Sequence, residues 1–121
     1  KTFMIQASQF LSRMEEEYTD FWNDGKYMCK NCGHLLFKSD AKFKSGTFWP
    51  SFRKTALPGS VKEKQDNSHN MERTEILCSK CGEHLGHVFP DGHYLGDDDP
   101  EAGLRYCVLS STLDFKKEEK E

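Results

Sequence analysis

Five cysteines fall into two groups by spacing. Cys29/Cys32 and Cys78/Cys81 are two C-x-x-C pairs, and each is followed by glycine, Gly33 and Gly82. Two intervening residues let both sulfurs of a pair turn toward one ion, and the glycine frees the backbone for a tight knuckle. The repeated motif predicts a single four-cysteine metal site. Four thiolates suit tetrahedral zinc or iron, and zinc is the common structural choice. They leave no open coordination position, so the ion would be a clasp and not a reagent. Cys107 is left over. It lies in Gly103–Leu109, where Leu104, Tyr106 and Val108 alternate with Arg105, Cys107 and Leu109. That pattern reads as a strand with one mostly apolar face. A single thiol on a rigid strand, two residues from a cation, is a candidate nucleophile. The competing reading is a small buried hydrophobe.

Other side chains with chemistry to offer flank the second knuckle. His84 and His87 follow Cys81-Gly82, with Pro90-Asp91-Gly92 just beyond. Neither histidine is needed as a metal ligand. Each reads as a surface or hydrogen-bonded core residue unless Cys107 comes near. His34, His69 and His93 read as solvent histidines. Between the knuckles, Phe43, Phe48, Trp49 and Phe52 cluster around Gly46 and Pro50. Phe43 and Phe52 suit a core. Trp49, on a backbone pinned by Pro50, suits the wall of a small apolar pocket.

The elements that must hold these residues are mostly strands. Leu35–Phe37 should be a short strand leaving the first knuckle, and Met71–Leu77 a strand entering the second. Residues 53–70 read as a long loop, with at most brief pairing at Ser60-Val61. Gly96-Asp97-Asp98-Asp99-Pro100-Glu101 reads as a solvated acidic loop, since it lacks the ligand spacing of a calcium loop. Phe10, Met14 and Tyr18 recur at helical spacing and predict one short helix, about 8–18, on the edge of the core. The expected division is therefore a helical extension over 1–24, a β domain over 25–115 and a frayed tail over 116–121.

Composition narrows the class. The 121 residues suit one domain. A hydrophobic share of 36 % and mean hydropathy of −0.80 are low for a chain held by its core alone, which a structural metal would offset. A net charge of −3 gives no basic field for nucleic acid. No apolar run reaches the ~18 residues that span a bilayer, so no membrane partner is expected. C-x-x-C pairs with an odd fifth cysteine favour metal thiolates in a cytoplasmic or other reducing compartment. The first residue is Lys1, so an organelle reached through a removed targeting peptide is the second expectation for the compartment.

Several blocks together resemble the methionine-R-sulfoxide reductases, the MsrB family. They are Cys29-x-x-Cys32-Gly33, Ser45-Gly46-Thr47-Phe48-Trp49-Pro50-Ser51-Phe52, Met71-x-Arg73-Thr74-Glu75, the run from Cys78 to Gly92, and Gly103-Leu104-Arg105-Tyr106-Cys107. The resemblance covers about residues 26–115. It implies a mainly β fold of two antiparallel sheets, with one structural Zn2+ on Cys29, Cys32, Cys78 and Cys81. It implies Cys107 as nucleophile, Trp49 against the substrate methyl, and His84 and His87 on the sulfoxide oxygen. Asp91 and Arg105 would orient that network and set its charge. The substrate would be methionine R-sulfoxide, free or preferentially within proteins, making this a redox enzyme of protein repair under oxidative stress. A monomer is expected. Two departures stand out. Many members carry a resolving cysteine where this chain has Thr47, so an external thiol, thioredoxin or a small molecule, should reduce oxidised Cys107. Many carry Asn where this chain has Leu109. The alternative is a non-catalytic zinc-ribbon-like binding module with Cys107 buried, which would need none of Trp49, the His84/His87 pair and Arg105 together.

Overall fold

The computed structural model describes residues 17–99 and 103–118. Within them lie nine strands: β1 (Gly25–Cys29), β2 (Leu35–Lys38), β3 (Lys42–Phe43), β4 (Ser51–Phe52), β5 (Val61–Asp66), β6 (Arg73–Cys78), β7 (His84–Phe89), β8 (Arg105–Val108) and β9 (Leu113–Lys117). They make two antiparallel sheets, one in the order β2-β1-β9 and one in the order β3-β4-β8-β7-β6-β5. The expected mainly β, two-sheet fold is what the chain adopts. The expected helix over 8–18 falls outside the described residues, except for Glu17 and Tyr18, which lie in a turn.

Aromatic contacts join the sheets. Phe37 of β2 stacks on Phe52 of β4 at 4.4 Å between centroids. Tyr27 of β1 meets the same Phe52 edge-on at 5.1 Å. Tyr27, Phe37 and Phe52 are fully buried, with Leu36, Ile76, Leu85 and Val108 around them. Each such side chain gives roughly 1.5–3 kcal/mol when taken out of water. Phe43 and Phe52 are core residues, as their spacing suggested. The segment entering β1 adds to this core, with Tyr18 edge-on to Tyr27 at 5.4 Å. The buried Lys42 ammonium donates hydrogen bonds to the carbonyls of Tyr18 and Phe21 and so ties that segment down.

Three local expectations need correction. Residues 61–66 are not loop: β5 pairs along its whole length with β6, from Val61 opposite Cys78 to Asp66 opposite Arg73. The strand was missed because its pattern, Val-Lys-Glu-Lys-Gln-Asp, is polar on both faces, as an edge strand can be. The acidic stretch is not simply solvated. Asp97 is buried and accepts three hydrogen bonds from the Arg53 guanidinium at 2.9–3.1 Å, which fastens residues 91–99 to the end of β4. His34 is half-buried, with Nε2 3.2 Å from the Ser79 hydroxyl, and so links the two cysteine knuckles.

Candidate active site

Register alone assembles most of the site. Across the large sheet, Ser51 of β4, Cys107 of β8, His87 of β7 and Glu75 of β6 are successive partners. Directly opposed residues in antiparallel strands share a face, so all four lie on one side. Residues two positions along the same strands join them there: Arg105 and Phe89 are partners, as are Arg73 and Asp66 on the outer hairpin. The opposite face carries Phe52, Tyr106, Val88 and Thr74. Phe52 and Tyr106 are buried there, so that face is the core side.

His84 should not belong to this row. In a regular strand, residues three apart point to opposite faces. Here Ile76 pairs with Gly86 but Leu77 pairs with His84, leaving Leu85 without an opposing residue. This bulge resets the alternation. Leu85 goes into the core at 0 % exposure, and the His84 and His87 rings come to 5.6 Å of each other.

These side chains surround a cavity of about 260 Å³. Cys107, Arg105, His84, His87 and Gly86 line it from the sheet, Trp49 and Thr47 from the aromatic loop, and Leu109, Arg73 and Phe89 complete it. The loop is well anchored: the Val108 amide donates to the Pro50 carbonyl at 3.1 Å, and the hydroxyls of Thr47 and Ser51 both bond that of Ser45. Trp49 remains 40 % exposed, a wall that a small apolar group can press against.

Charge inside the cavity is organised by two carboxylates on β5 and β6 and one beyond β7. Arg105 is buried, and its Nε and Nη2 donate to the two oxygens of Asp91 at 2.9 and 3.2 Å. Burial works against that guanidinium's charge, but Asp91 and then the thiolate form of Cys107, with which it also hydrogen-bonds, raise its pKa overall. A fixed cation at the sulfur favours thiolate, the reactive form. His87 Nε2 lies 2.8 Å from Asp66 Oδ2. The hydrogen bond from His87, with that of the Ser68 amide, holds the Asp66 carboxyl well below the usual carboxylate range. His84 Nδ1 lies 2.6 Å from Glu75 Oε2.

The candidate metal ligands sit elsewhere. The two knuckles have the same internal bonds: Gly33 N to Cys29 O at 2.7 Å and Gly82 N to Cys78 O at 2.8 Å. Their glycines have φ of 81° and 83°, in the left-handed region that favours glycine. The ligand atoms of Cys29, Cys32, Cys78 and Cys81 all lie within 4.8 Å of one another, and Cys107 is not among them. The pairs Cys29–Cys81 and Cys32–Cys78 are 3.7 and 3.6 Å apart. A tetrahedron with metal–sulfur bonds of ~2.3 Å needs sulfurs ~3.8 Å apart, so the four can hold a metal ion. Because Cys29 ends β1 and Cys78 ends β6, such an ion would clasp one sheet to the other.

Of the six residues expected around a substrate, Cys107, His84, His87, Arg105 and Trp49 line one cavity, and Asp91 is joined to it through Arg105. Asp66 and Glu75 were missed as partners of the histidines, and Gly86 as a site residue. Only the β5–β6–β7 register brings the carboxylates into place, and one of those strands had no readable pattern. Gly86 had a weak signal, a lone glycine inside a strand. A Cβ there would lie 1.9 Å from the Cys107 carbonyl oxygen, so only glycine lets β7 and β8 close at this point.

Most of the chain is similar in sequence to known proteins. The SelR domain matches residues 3–117. The chain is 52 % identical over 101 residues to a peptide methionine sulfoxide reductase MsrB of Variovorax paradoxus, covering 84 % of this chain and 70 % of that one. It is 54 % identical over 94 residues to one from Leptospira interrogans, covering 78 % and 67 %. It is 52 % identical over 99 residues to one from Thiobacillus denitrificans, covering 82 % and 70 %.

Proposed function

This chain belongs to the MsrB family of peptide methionine sulfoxide reductases, and from that premise we propose how its residues reduce methionine R-sulfoxide. The observation that carries the reading is the meeting of Cys107, Arg105, both histidines and Trp49 around one cavity. A non-catalytic binding module has no use for that convergence.

The oxidised side chain enters with its methyl against the Trp49 face. The R epimer then directs its oxygen toward His84 and His87, and the sulfur faces Cys107. The Cys107 thiolate, held by Arg105, attacks the sulfoxide sulfur. An imidazolium gives its proton to the oxygen as the S–O bond weakens. Oxygen ends on Cys107 as a sulfenic acid, and methionine leaves as the reduced thioether. One external thiol then converts the sulfenic acid to a mixed disulfide with loss of water. A second thiol releases Cys107 and leaves as a disulfide. Thr47 has no sulfur to take part, so thioredoxin or a small thiol must supply both equivalents. Such chemistry requires a reducing compartment. Asp91 acts through Arg105, keeping the guanidinium over the Phe89 ring, 4.6 Å from its centroid. Zn2+ on Cys29, Cys32, Cys78 and Cys81 would be structural, and no step passes through it.

The test is a single turnover of metal-loaded protein with each diastereomer of an N-acetylated methionine sulfoxide, using dithiothreitol. Reduction confined to the R form and abolished by Cys107→Ser is the expected result. Equal reduction of both forms, or undiminished reduction by Cys107→Ser, would refute the mechanism.

A further inference from the structure

Both histidines of the cavity are held by carboxylates, and through different nitrogens. Glu75 holds His84 by Nδ1 at 2.6 Å. Asp66 holds His87 by Nε2 at 2.8 Å. We propose that Glu75 and Asp66 are positioning residues, which choose the nitrogen by which each imidazole hands a proton to the substrate. This rests on the reductase reading above.

The chemistry follows from what a carboxylate accepts. An ionised carboxylate has no proton to donate, so the nitrogen facing it must carry N–H in every state of the ring. For His84 that is Nδ1, leaving Nε2 to gain or lose the transferable proton. For His87 it is Nε2, leaving Nδ1. When charged, each ring keeps a counter-ion. When the proton has gone, each ring is already in the tautomer that its carboxylate requires, so no flip separates one turnover from the next. His87 lies directly beside Cys107 in the sheet, while the longer reach of Nε2 serves His84 at the strand's start. The two rings thus present unlike nitrogens to one substrate oxygen.

The remaining charges on this face are compatible with that arrangement. From β5 come Asp66 and Lys64, from β6 Arg73 and Glu75, and from β8 Arg105 and Cys107. Arg73 Nη2 lies 3.5 Å from Asp66 Oδ2 and helps keep that carboxyl ionised. Lys64 opposes Glu75 across the hairpin. Arg105 is engaged by Asp91. Glu75 and Asp66 are the carboxylates that reach the histidines.

The experiment is long-range ¹⁵N–¹H correlation of the imidazoles in the metal-loaded full chain, titrated upward to the neutral limit. His84 should appear as the Nδ1–H tautomer, the less common form of free imidazole, and His87 as Nε2–H. Glu75→Ala should return His84 to Nε2–H, while Glu75→Gln, which still offers an amide oxygen, should retain Nδ1–H. In single turnover, Glu75→Ala and Asp66→Ala should each lose roughly tenfold to a hundredfold in rate, a share of the ~10²–10⁴ that proton transfer contributes. Binding of the N-acetylated sulfoxide should change little. A neutral His84 found as Nε2–H in the wild type, or unmoved by Glu75→Ala in a chain that keeps its melting transition, overturns the proposal. The tautomer readout needs no turnover, so a chain without reductase activity would refute the functional reading while the spectra still decide this one.

Discussion

His84 and His87 stand 5.6 Å apart, ring to ring, on one face of a strand that ought to separate them. The bulge at Leu85 is the cause, because it takes one residue out of the alternation and sends it to the core. Exchanging the two neighbours, His84→Leu with Leu85→His, preserves composition and reverses the placement. An imidazole would enter an apolar interior without a partner, a loss of about 2 kcal/mol or more. The exchanged variant should lower the urea midpoint and reduce turnover by at least the ~10² expected for a lost acid. Wild-type stability and rate in that variant would show that the bulge does not sort these two side chains.

Gly86 makes the neighbouring contact possible. Its absent Cβ would sit 1.9 Å from the carbonyl oxygen of Cys107, a backbone atom that cannot swing aside. Gly86→Ala must push β8 away from β7. A loss of about 3 kcal/mol is expected, at the upper end of overpacking. Because an ångström of misplacement can cost 10²-fold in rate, turnover should fall even in the fraction that remains folded. Parallel denaturant melts and active-site alkylation of the folded protein would separate the two effects.

How much of this was readable in advance divides along a physical line. The four-cysteine cluster and the separateness of Cys107 were legible because they depend on local spacing, which a linear motif preserves. Trp49, His84, His87 and Arg105 stood out by residue type, their roles and that of Asp91 came from likeness to a known family, and strand register then set Arg105 and His87 around Cys107. Asp66 and Glu75 were not connected to the histidines. Their roles depend on which strand pairs with which, and β5 has the alternation of neither a buried strand nor a helix. Asp97 was misjudged for a related reason. Three consecutive aspartates look solvated until Arg53, 44 residues away in sequence, is found opposite one of them.

Arg105 is the cation closest in role to the nucleophile. Its bonds to Asp91 and Cys107 predict that Arg105→Met slows carboxymethylation of Cys107 at neutral pH by roughly tenfold to a hundredfold, the equivalent of a charged hydrogen bond of ~1.5–3 kcal/mol. Mass spectrometry of the labelled peptide would measure it, with the four clustered cysteines as internal controls. An unchanged rate would mean that the thiolate draws its stabilisation from elsewhere.

Asp66 gives a pH signature. Its folded pKa is depressed by the hydrogen bond from His87 and those of Ser68. A depressed acid contributes stability above its unfolded pKa, about 3.9, and that contribution is lost as pH falls toward the folded value. The stability gap between wild type and Asp66→Asn should therefore hold steady from pH 6 down to about pH 4 and shrink below it. Urea melts at stepped pH would test this. A gap that widened on acidification would carry the wrong sign.

The cysteine site makes the strongest prediction about the fold. Without a cation the four thiols do not share one ionisation state: burial pushes Cys29 up to about 12, while the Asn31 side chain's hydrogen bond brings Cys81 down to about 6. A divalent cation supplies the charge that lets all four be thiolates. Binding of that kind is worth ~10–16 kcal/mol in small zinc domains, comparable with the whole stability of a typical domain, ~5–15 kcal/mol. Here such an ion would also span the two sheets, through Cys29 at the end of β1 and Cys78 at the end of β6. A strong chelator should therefore abolish the cooperative melt and release one equivalent of metal in the same transition. Cys29→Ser should express as unfolded or aggregated protein. Cys107→Ser should keep both the metal and the melting temperature, since that sulfur stands outside the cluster. Loss of metal from Cys107→Ser, or an unaltered melt after chelation, would contradict a purely structural ion held by the other four.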